Sequence, residues 1–330
     1  MTTMTYAQAI REGLDEVMTA DNEVFLIGED IGEAGGVFGV TKGLWNKYED
    51  RVLDTPISEE ALVGAAAGAA LVGGRPVAEI MFSDFSTLAM DMLVNQAAKT
   101  SYMTGGRLSC PITVRMVTGT AGATAAQHSQ SLEAWFTHTP GLKCVAPSTP
   151  ADAKALIKTA VRDPDPVLFF EHKMLYNVKG DVPAEPDDLP LGKGMVVRSG
   201  SDVTIVSYLK TLHEAVQAAE ELKRDGISVE VFDPRSLIPF DRNGLGASLE
   251  RTGRLVIAHE APTTGGFGAE IAAMASESFW SLLKAPIVRV CGRDTPVPYA
   301  PELEGFVLPD AQRITESVHQ LMTQEVATGS

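Results

Sequence analysis

The chain has 330 residues, enough for two ordinary domains, and is 45% hydrophobic and 21% charged, as is typical of a globular protein with a sizeable core. Its 43 acidic and 27 basic residues give a net charge of −16, which argues against nucleic acid or an anionic membrane as a partner because both need a cationic face. Cys110, Cys144 and Cys291 are far apart in apolar runs, which favours reduced thiols in a cytoplasmic protein. The N-terminus lacks an apolar signal core, and the longest apolar run, 61–73, is too short to span a bilayer.

The first half of the chain alternates predicted strands and helices. Thr5 is the predicted N-cap of a helix in which Ile10, Leu14, Val17 and Met18 share one face. Later helices are predicted at 59–73, at 84–100, in "LEAWFTH" and in "PADAKALIKTAV", and strands in "EVFLIGED", "RPVAEIMF", "PITVRMV", "KCVAPS" and "PVLFFEH".

The second half repeats this alternation after a break at 179–194, which is rich in proline and acidic residues and lacks periodicity. Strands are predicted in "DVTIVSY", "SVEVFD", "RLVIAHE" and "PIVRVCG", with helices at 211–224, 241–251 and 267–283. Buried strands that alternate with helices indicate mainly parallel sheets covered on both faces. We therefore predict an α/β protein of two doubly wound domains, 1–180 and 201–330, joined by a linker at 181–200.

Two adjacent acids, Glu59 and Glu60, open the small-residue helix that follows "DTPIS". Ser58 is placed to cap this helix, and the macrodipole favours acids in the first turn by roughly 0.3–1 kcal/mol. Helix-start charge accounts for one acid but less well for two, because adjacent carboxylates repel. The alternative is that one faces solvent and the other a pocket, where it shares a proton with a basic ring nitrogen.

Other candidate residues have two interpretations each. His128, in a polar loop after a strand, is either an ordinary loop histidine or a donor to a developing oxyanion. Asp163 and Asp165 form either a proline-braced turn or, with nearby carbonyl groups, a site for a hard cation. The sequence has no GxGxxG between strand and helix, and no GxxxxGK[ST], HExxH or CxxC motif, so it contains no recognisable nucleotide cradle or transition-metal site.

Several strings occur in an order that one family shares. They include "IGEDIGEAGGVFGVTKGL", "DTPISE", "RPVAEIMFSDF", "NQAAK", "YMTGG", "QHSQSLEAWFTHTPGLK", "PSTPADAK", "DPDPVLFFEHKMLY", "VEVFDPRSLIPFD" and "GRLVIAHEAPTTGGFGAEIAA". The chain resembles the β subunit of the thiamine-diphosphate-dependent E1 component of 2-oxo acid dehydrogenase complexes, a family that includes the pyruvate, branched-chain and acetoin dehydrogenases. The resemblance extends over roughly residues 5–322.

The resemblance implies a pyrimidine-binding thiamine-diphosphate domain followed by a transketolase C-terminal-like domain. It also implies that a separate α subunit holds the diphosphate and its Mg²⁺, through a GDG motif that this sequence lacks. The complete enzyme is then expected to be an α2β2 heterotetramer with active sites at the α/β interface, and to serve a lipoyl-bearing E2 acyltransferase.

The resemblance also implies roles for individual residues. Glu59 matches the glutamate that bonds N1′ of the aminopyrimidine and so promotes removal of the thiazolium C2 proton. Phe85 matches the aromatic residue that packs on the aminopyrimidine, and Ile57 and Met81 match residues that line the same pocket. His128 matches the histidine that assists substrate addition and acyl transfer to the lipoyl group.

A structural K⁺ site is a further implication of the resemblance. Family members often have Asn where Asp165 stands, and commonly Arg where Ser101 stands. The matching positions, three of which would act through backbone carbonyl groups, are Ile112, Ala160, Val161, Asp163 and Asp165.

These implications predict one half of an E1 enzyme. With an α chain it would cleave the C–C bond of a 2-oxo acid, with loss of CO₂, or of acetoin, and pass the acyl unit to lipoyl-E2. Two alternatives stay open: a two-chain carboligase of the transketolase type that acts without E2, and a non-catalytic α/β docking subunit.

Overall fold

The computed structural model describes residues 1–184 and 189–324 and divides into two compact units. The first unit contains Met1–Ala121, Gln127–Leu191 and Leu237–Pro239, and the second contains Gly122–Ala126, Gly192–Ser236 and the residues from Phe240 onward. Residues 185–188 of the predicted linker and residues 325–330 lie outside the described residues. The predicted domain boundaries therefore stay a prediction.

Strands and helices alternate along both halves of the chain. The first half contains β1 (Thr2–Thr5), α1 (Tyr6–Ala20), β2 (Val24–Gly28), α2 (Leu44–Lys47), β3 (Val52–Asp54), α3 (Glu59–Leu71), β4 (Arg75–Ile80), α4 (Ala98–Met103), β5 (Thr113–Thr118), α5 (Glu133–Thr137), β6 (Lys143–Val145), α6 (Pro150–Arg162), β7 (Val167–His172) and β8 (Lys179–Val182). The second half contains β9 (Met195–Arg198), β10 (Val203–Ser207), α7 (Leu209–Arg224), β11 (Val229–Asp233), β12 (Ser236–Ile238), α8 (Arg242–Thr252), β13 (Leu255–Pro262), α9 (Phe267–Phe279), β14 (Val288–Gly292), α10 (Pro301–Val307) and α11 (Ala311–Met322).

The first unit is built on a seven-stranded sheet in the order β12-β6-β7-β5-β4-β2-β3. The pairs from β6 to β3 are all parallel, as predicted for buried strands that alternate with helices. The sequence did not predict the separate antiparallel pair of β1 with β8. The consecutive parallel strands β2, β4, β5 and β7 bring their carboxyl ends to one edge of the sheet, which is where polar side chains of distant sequence position can meet.

The N-terminal helix confirms the predicted capping. The Thr5 side chain accepts from the Gln8 backbone N–H at 3.2 Å, and the Gln8 side chain accepts from the Thr5 backbone N–H at 2.8 Å, which completes a capping box. The predicted apolar face, Ile10 to Met18, is buried in a core cluster together with residues of α6. The sequence periodicity thus placed this helix correctly on the core.

The predicted continuous helix at 84–100 is wrong in its first turns. Residues Ser83–Thr87 form a 3-10 turn, Met92–Ala97 are π-helical, and Ala98–Met103 form the longest α-helical stretch of the region. The hydroxyl of Ser86 donates to the Ser83 carbonyl at 2.6 Å, so a side chain competes with the helical pattern near its start. Apolar spacing does not reveal such local hydrogen bonds.

The second unit has a five-stranded sheet in the order β14-β13-β10-β11-β9. All pairs are parallel except β11 with β9, an antiparallel edge pair that was not predicted. The core cluster of this unit contains buried residues from β10, β11, β13, α7 and α11. Within residues 1–184 and 189–324, every helix is too short or too polar to cross a bilayer.

Candidate active site

The structure separates the two acids at the start of α3. Glu59 is 3% exposed, whereas Glu60 is exposed to solvent. The two adjacent carboxylates therefore lie in different environments, as their mutual repulsion suggests. Ser58 occupies the N-cap position but its side chain makes no capping hydrogen bond, so the predicted hydroxyl cap is wrong. Its backbone N–H instead donates to the carboxylate of Glu29.

Glu29, which the sequence reasoning missed, lies directly after β2 and is 5% exposed. Burial raises the pKa of the Glu29 carboxyl, and the charge of Glu59 raises it further. Among the described residues, the Oε1 atom of Glu29 has no hydrogen-bond partner. The signal available in the sequence was an acid at the carboxyl end of a buried strand, a position where parallel sheets commonly bind ligands.

Phe85 and His128, predicted from distant parts of the sequence, meet in one aromatic cluster. Their ring centroids are 5.4 Å apart in an edge-on arrangement, and Phe82 contacts both, at 5.6 Å from Phe85 and 4.9 Å from His128. Phe38 connects this cluster to Tyr176, because its ring lies edge-on to Phe82 at 5.8 Å and stacks on Tyr176 at 5.1 Å. The cluster presents planar apolar faces beside an imidazole, a combination that suits a heteroaromatic ring.

Ile57 and Met81, the other two predicted pocket residues, differ in exposure. Met81 follows β4 and is partly buried, whereas the side chain of Ile57 is 81% exposed. Ile57 is therefore not packed into the aromatic cluster of the described chain. A role for Ile57 as a pocket wall stays a prediction.

Polar anchors fix the carboxyl side of the loop that carries His128. The carbonyl of Gln130 accepts from the hydroxyls of Ser83 at 3.0 Å and Thr118 at 3.1 Å. Asp84 Oδ1 accepts from the backbone N–H of Gln130 at 3.2 Å and from its side-chain amide at 2.8 Å. The histidine thus lies two residues from a segment held by β5 and by the 3-10 turn that carries Phe85.

A buried ion network crosses the sheet near these residues. Arg115 of β5 is 1% exposed and binds Glu171 of β7 with two hydrogen bonds, at 2.6 and 2.8 Å, and also donates to Glu79 of β4. Burial opposes the Arg115 charge, but Glu171 and Glu79 outweigh it and raise the pKa of the guanidinium. The hydroxyl of Tyr176 donates to Glu171 at 2.8 Å. The network therefore keeps a fixed positive charge between two carboxylates, and Tyr176 connects it to the aromatic cluster by stacking on Phe38.

The predicted K⁺ residues are close to a lysine that the prediction did not include. The Lys143 ammonium lies 2.7 Å from Asp163 Oδ1 and 3.0 Å from Asp165 Oδ2, so it pairs with both carboxylates. The three predicted carbonyl oxygens also accept hydrogen bonds: Ile112 from Val167 N–H at 2.9 Å, Ala160 from Asp163 N–H at 3.2 Å, and Val161 from Arg75 at 3.1 Å.

In this arrangement the two carboxylates already have an ammonium partner, and the three carbonyl oxygens each accept a hydrogen bond. Within the ranges 1–184 and 189–324, moreover, no group of three or more His, Cys, Asp or Glu side chains could hold a metal ion. A K⁺ site formed by these five residues stays a prediction, and no catalytic step depends on it.

Two features of the first unit suit an aminopyrimidine ring. Glu59 supplies a buried carboxylate able to share a proton with a ring nitrogen, and Phe85 supplies a planar apolar face. The sequence contains no GDG motif, and the described part of the chain has no metal-binding cluster for a diphosphate-bound Mg²⁺. Glu59 and Phe85 therefore suit the pyrimidine end of thiamine diphosphate.

Comparison with known proteins also indicates a pyrimidine-binding domain. Residues 2–179 match the model of the transketolase pyrimidine binding domain, and residues 192–314 match that of the transketolase C-terminal domain. The acetoin:2,6-dichlorophenolindophenol oxidoreductase subunit beta of Cupriavidus necator is 46% identical over 324 residues, which cover 95% of this chain and 96% of that protein. The chain belongs to the E1 β-subunit family.

Other relatives have related names. The 2-oxoisovalerate dehydrogenase subunit beta of Bacillus subtilis is 44% identical and covers 97% of this chain and 99% of its own length. A mitochondrial pyruvate dehydrogenase E1 component subunit beta of Oryza sativa is 45% identical, over 95% of this chain and 85% of its own length. Membership of the E1 β-subunit family makes the chain a component of a thiamine-diphosphate-dependent oxidoreductase, as the sequence predicted.

A solved structure supports the same fold. The chain aligns with a split gene transketolase described as an inactive beta4 tetramer, with a TM-score of 0.82 and 24% identity, over 98% of this chain and 99% of that chain. At this identity the likeness concerns the fold alone. It confirms the predicted α/β class with a transketolase-type architecture.

Proposed function

We propose that this E1 β subunit works with a separate α subunit to cleave the C–C bond next to the carbonyl group of a 2-oxo acid or of acetoin. The resulting acyl unit would pass to a lipoyl-bearing E2 protein. The names of the relatives support this function, because they are β subunits of pyruvate, 2-oxoisovalerate and acetoin enzymes. The observation that carries the proposal is the burial of Glu59 at the start of α3, next to an exposed Glu60.

The proposed role of Glu59 is to share a proton with the cofactor. When bound, thiamine diphosphate supplies a thiazolium ring that stabilises the carbanion left by bond cleavage. Glu59 would share a proton with N1′ of the aminopyrimidine and so set the basicity of the neighbouring amino group. Glu29 supports this role, because its carboxylate and that of Glu59 repel each other and a proton shared with N1′ relieves the repulsion.

Phe85 would position the cofactor, and His128 would act on the substrate. Phe85 would pack against the aminopyrimidine and hold it against Glu59. The His128 imidazole would donate a hydrogen bond or a proton to the oxygen that gains charge when the substrate adds, and later assist transfer to the lipoyl group. Its contacts with Phe82 and Phe85 keep the imidazole beside the aromatic face.

The other half of the site is assigned to the α subunit. The absence of a GDG motif supports a partner that binds the diphosphate and Mg²⁺. We infer an α2β2 assembly in which neither chain alone forms a complete cofactor site.

The test compares two neighbouring glutamates in the reconstituted α/β enzyme. Glu59→Gln is expected to lower turnover about 10²- to 10⁴-fold, the usual contribution of a positioned acid or base. Glu60→Gln is the matched control and is expected to stay within about twofold of the wild type, since surface changes away from special contacts have small effects. Turnover is measured with pyruvate, 2-oxoisovalerate and acetoin, and reduction of a lipoyl domain reports acyl transfer.

Size-exclusion chromatography with the α chain shows whether each variant still assembles. Equal losses for Glu59→Gln and Glu60→Gln would overturn the assignment of Glu59. Carboligation without any reduction of the lipoyl domain would favour the transketolase-type alternative over an E1 enzyme.

A further inference from the structure

The proposed function leaves unused a buried lysine close to the candidate active site. Lys173 follows β7 and begins a short 3-10 turn, Lys173–Leu175, with 6% of its surface exposed. A buried ammonium loses its hydration, so its position requires compensating contacts. Two of these contacts are backbone carbonyl groups of the loop that carries His128.

The lysine joins the two ends of this loop. Its Nζ donates to the carbonyl oxygen of Gly119, which directly follows β5, at 2.5 Å, and also donates to the carbonyl oxygen of His128 itself. Between these two points Ala123 and Ala125 have φ of 57° and 60°, in the left-handed region that is unfavourable for alanine. The backbone N–H of Ala123 donates to Glu304 at 2.8 Å, so the middle of the loop has its own support and Lys173 restrains its two ends.

Lys173 also reaches His128 through an aromatic ring. Its ammonium lies 4.9 Å from the ring centroid of Phe82, at cation–π distance. Phe82 contacts the His128 imidazole edge-on, with centroids 4.9 Å apart. The same cation therefore restrains both the backbone of His128 and the ring on which its side chain packs.

We propose that Lys173 is a positioning residue that sets the orientation of the His128 imidazole. The proposal rests on the role of His128 given above, and it adds the group that holds this histidine in place. Three independent contacts converge on the ammonium: the Gly119 carbonyl, the His128 carbonyl and the Phe82 ring. A methionine side chain of similar length has no hydrogen-bond donor for the two carbonyl groups and no charge to place over the Phe82 ring.

The experiment uses Lys173→Met, Lys173→Arg, His128→Ala and the double variant Lys173→Met/His128→Ala in the reconstituted α/β enzyme. Lys173→Met is expected to lower kcat on the order of 10- to 100-fold with a small change in KM, as for misplacement of a reacting group. Lys173→Arg should restore part of the rate, because a guanidinium also donates to carbonyl groups. The double variant should lie within about twofold of His128→Ala, since the two residues act as one unit.

Lys154→Met is the matched control. Lys154 is also buried, with its side chain 0% exposed, but it pairs with Glu12 and Glu16 of α1. This variant is expected to lower the unfolding midpoint and to leave kcat within about twofold. Equal losses of kcat for Lys173→Met and Lys154→Met, or multiplicative losses in the double variant, would overturn the proposal.

Amide hydrogen exchange separates this proposal from the proposed function. Exchange over residues 119–130 should rise about tenfold or more in Lys173→Met and remain unchanged in Lys154→Met. If His128→Ala keeps wild-type activity, the catalytic role of His128 is wrong, yet faster exchange in Lys173→Met would still support the positioning contact. Unchanged exchange in Lys173→Met would overturn the positioning contact whatever the activity of His128→Ala.

Discussion

Each unit buries an ionisable side chain in its sheet, and this side chain is charged in the first unit and neutral in the second. In the first unit Arg115 remains charged between Glu79 and Glu171. In the second unit burial lowers the pKa of His259 to about 4, helped by the charge of Arg289, so this histidine is neutral at pH 7. The first unit thus buries a cation between two carboxylates, whereas the second unit contains a neutral imidazole in addition to buried Glu230, which pairs with Arg251.

The neutral imidazole of His259 has a structural role. His259 Nε2 accepts from the backbone N–H of Gly268, in the first turn of α9, at 3.1 Å and lies 3.3 Å from Cys291 Sγ. A Cβ at position 268 would lie 2.5 Å from Nε2, so glycine is needed for this approach. Burial also raises the pKa of Cys291 to about 11, which keeps the thiol protonated and unreactive. Burial therefore leaves His259 neutral in the second unit, whereas Arg115 stays charged in the first unit because two carboxylates surround it.

The largest effect on stability is expected from Arg115→Met. Removing the guanidinium leaves the carboxylates of Glu79 and Glu171 buried without their cation, which costs about 3–5 kcal/mol for a broken buried pair. Urea unfolding of the full chain measures the loss. Lys47→Met, which breaks the exposed pair with Asp15, is the control and should cost far less, because solvent screens an exposed ion pair. Similar losses for both variants would contradict the view that the first unit depends on buried charge.

A smaller effect, visible only below neutral pH, is expected from His259→Gln. Because the folded-state pKa of His259 is lowered to about 4 from 6.5, its contribution is complete above pH 6.5 and is lost as pH falls toward 4. The wild type should lose about 3 kcal/mol over this window through this group, and the variant should lack that part of the slope. Urea unfolding at several pH values measures it, with exposed His138→Gln as control. An unchanged slope in His259→Gln would show that the imidazole is not buried neutral.

The smallest effect is expected from Glu29→Gln, and its pH dependence has the opposite sign. The pKa of Glu29 is raised by burial and by Glu59, so its contribution is complete below the unfolded pKa and is lost as pH rises through the folded pKa. The amide of the substituted side chain would keep a carbonyl acceptor for the Ser58 N–H without the charge. The variant should therefore lose less stability than the wild type between acid and neutral pH, as followed by thermal unfolding. A steeper loss in the variant would contradict the raised pKa.

The helices with clear periodicity were predictable from the sequence. The face from Ile10 to Met18 and the Thr5 cap depend on residues close in sequence, so a local pattern specifies them. The region 84–100 was not predictable in this way, because its 3-10 and π-helical turns do not follow apolar spacing. The antiparallel partners β1 and β8 were also missed, since they pair across about 175 residues and neither shows a strong alternation.

The sequence by itself determined the family and the α/β class, and it proposed Glu59, Phe85 and His128 as site residues, because ordered strings and local periodicity are properties of the chain. Only the tertiary structure decided that Glu59 is buried while Glu60 is exposed, that Phe85 meets His128, and that Lys173 holds the His128 loop. These outcomes depend on contacts between residues about 40 to 50 positions apart in sequence. Parallel strands bring such residues to one sheet edge, and no local pattern records which of them will meet.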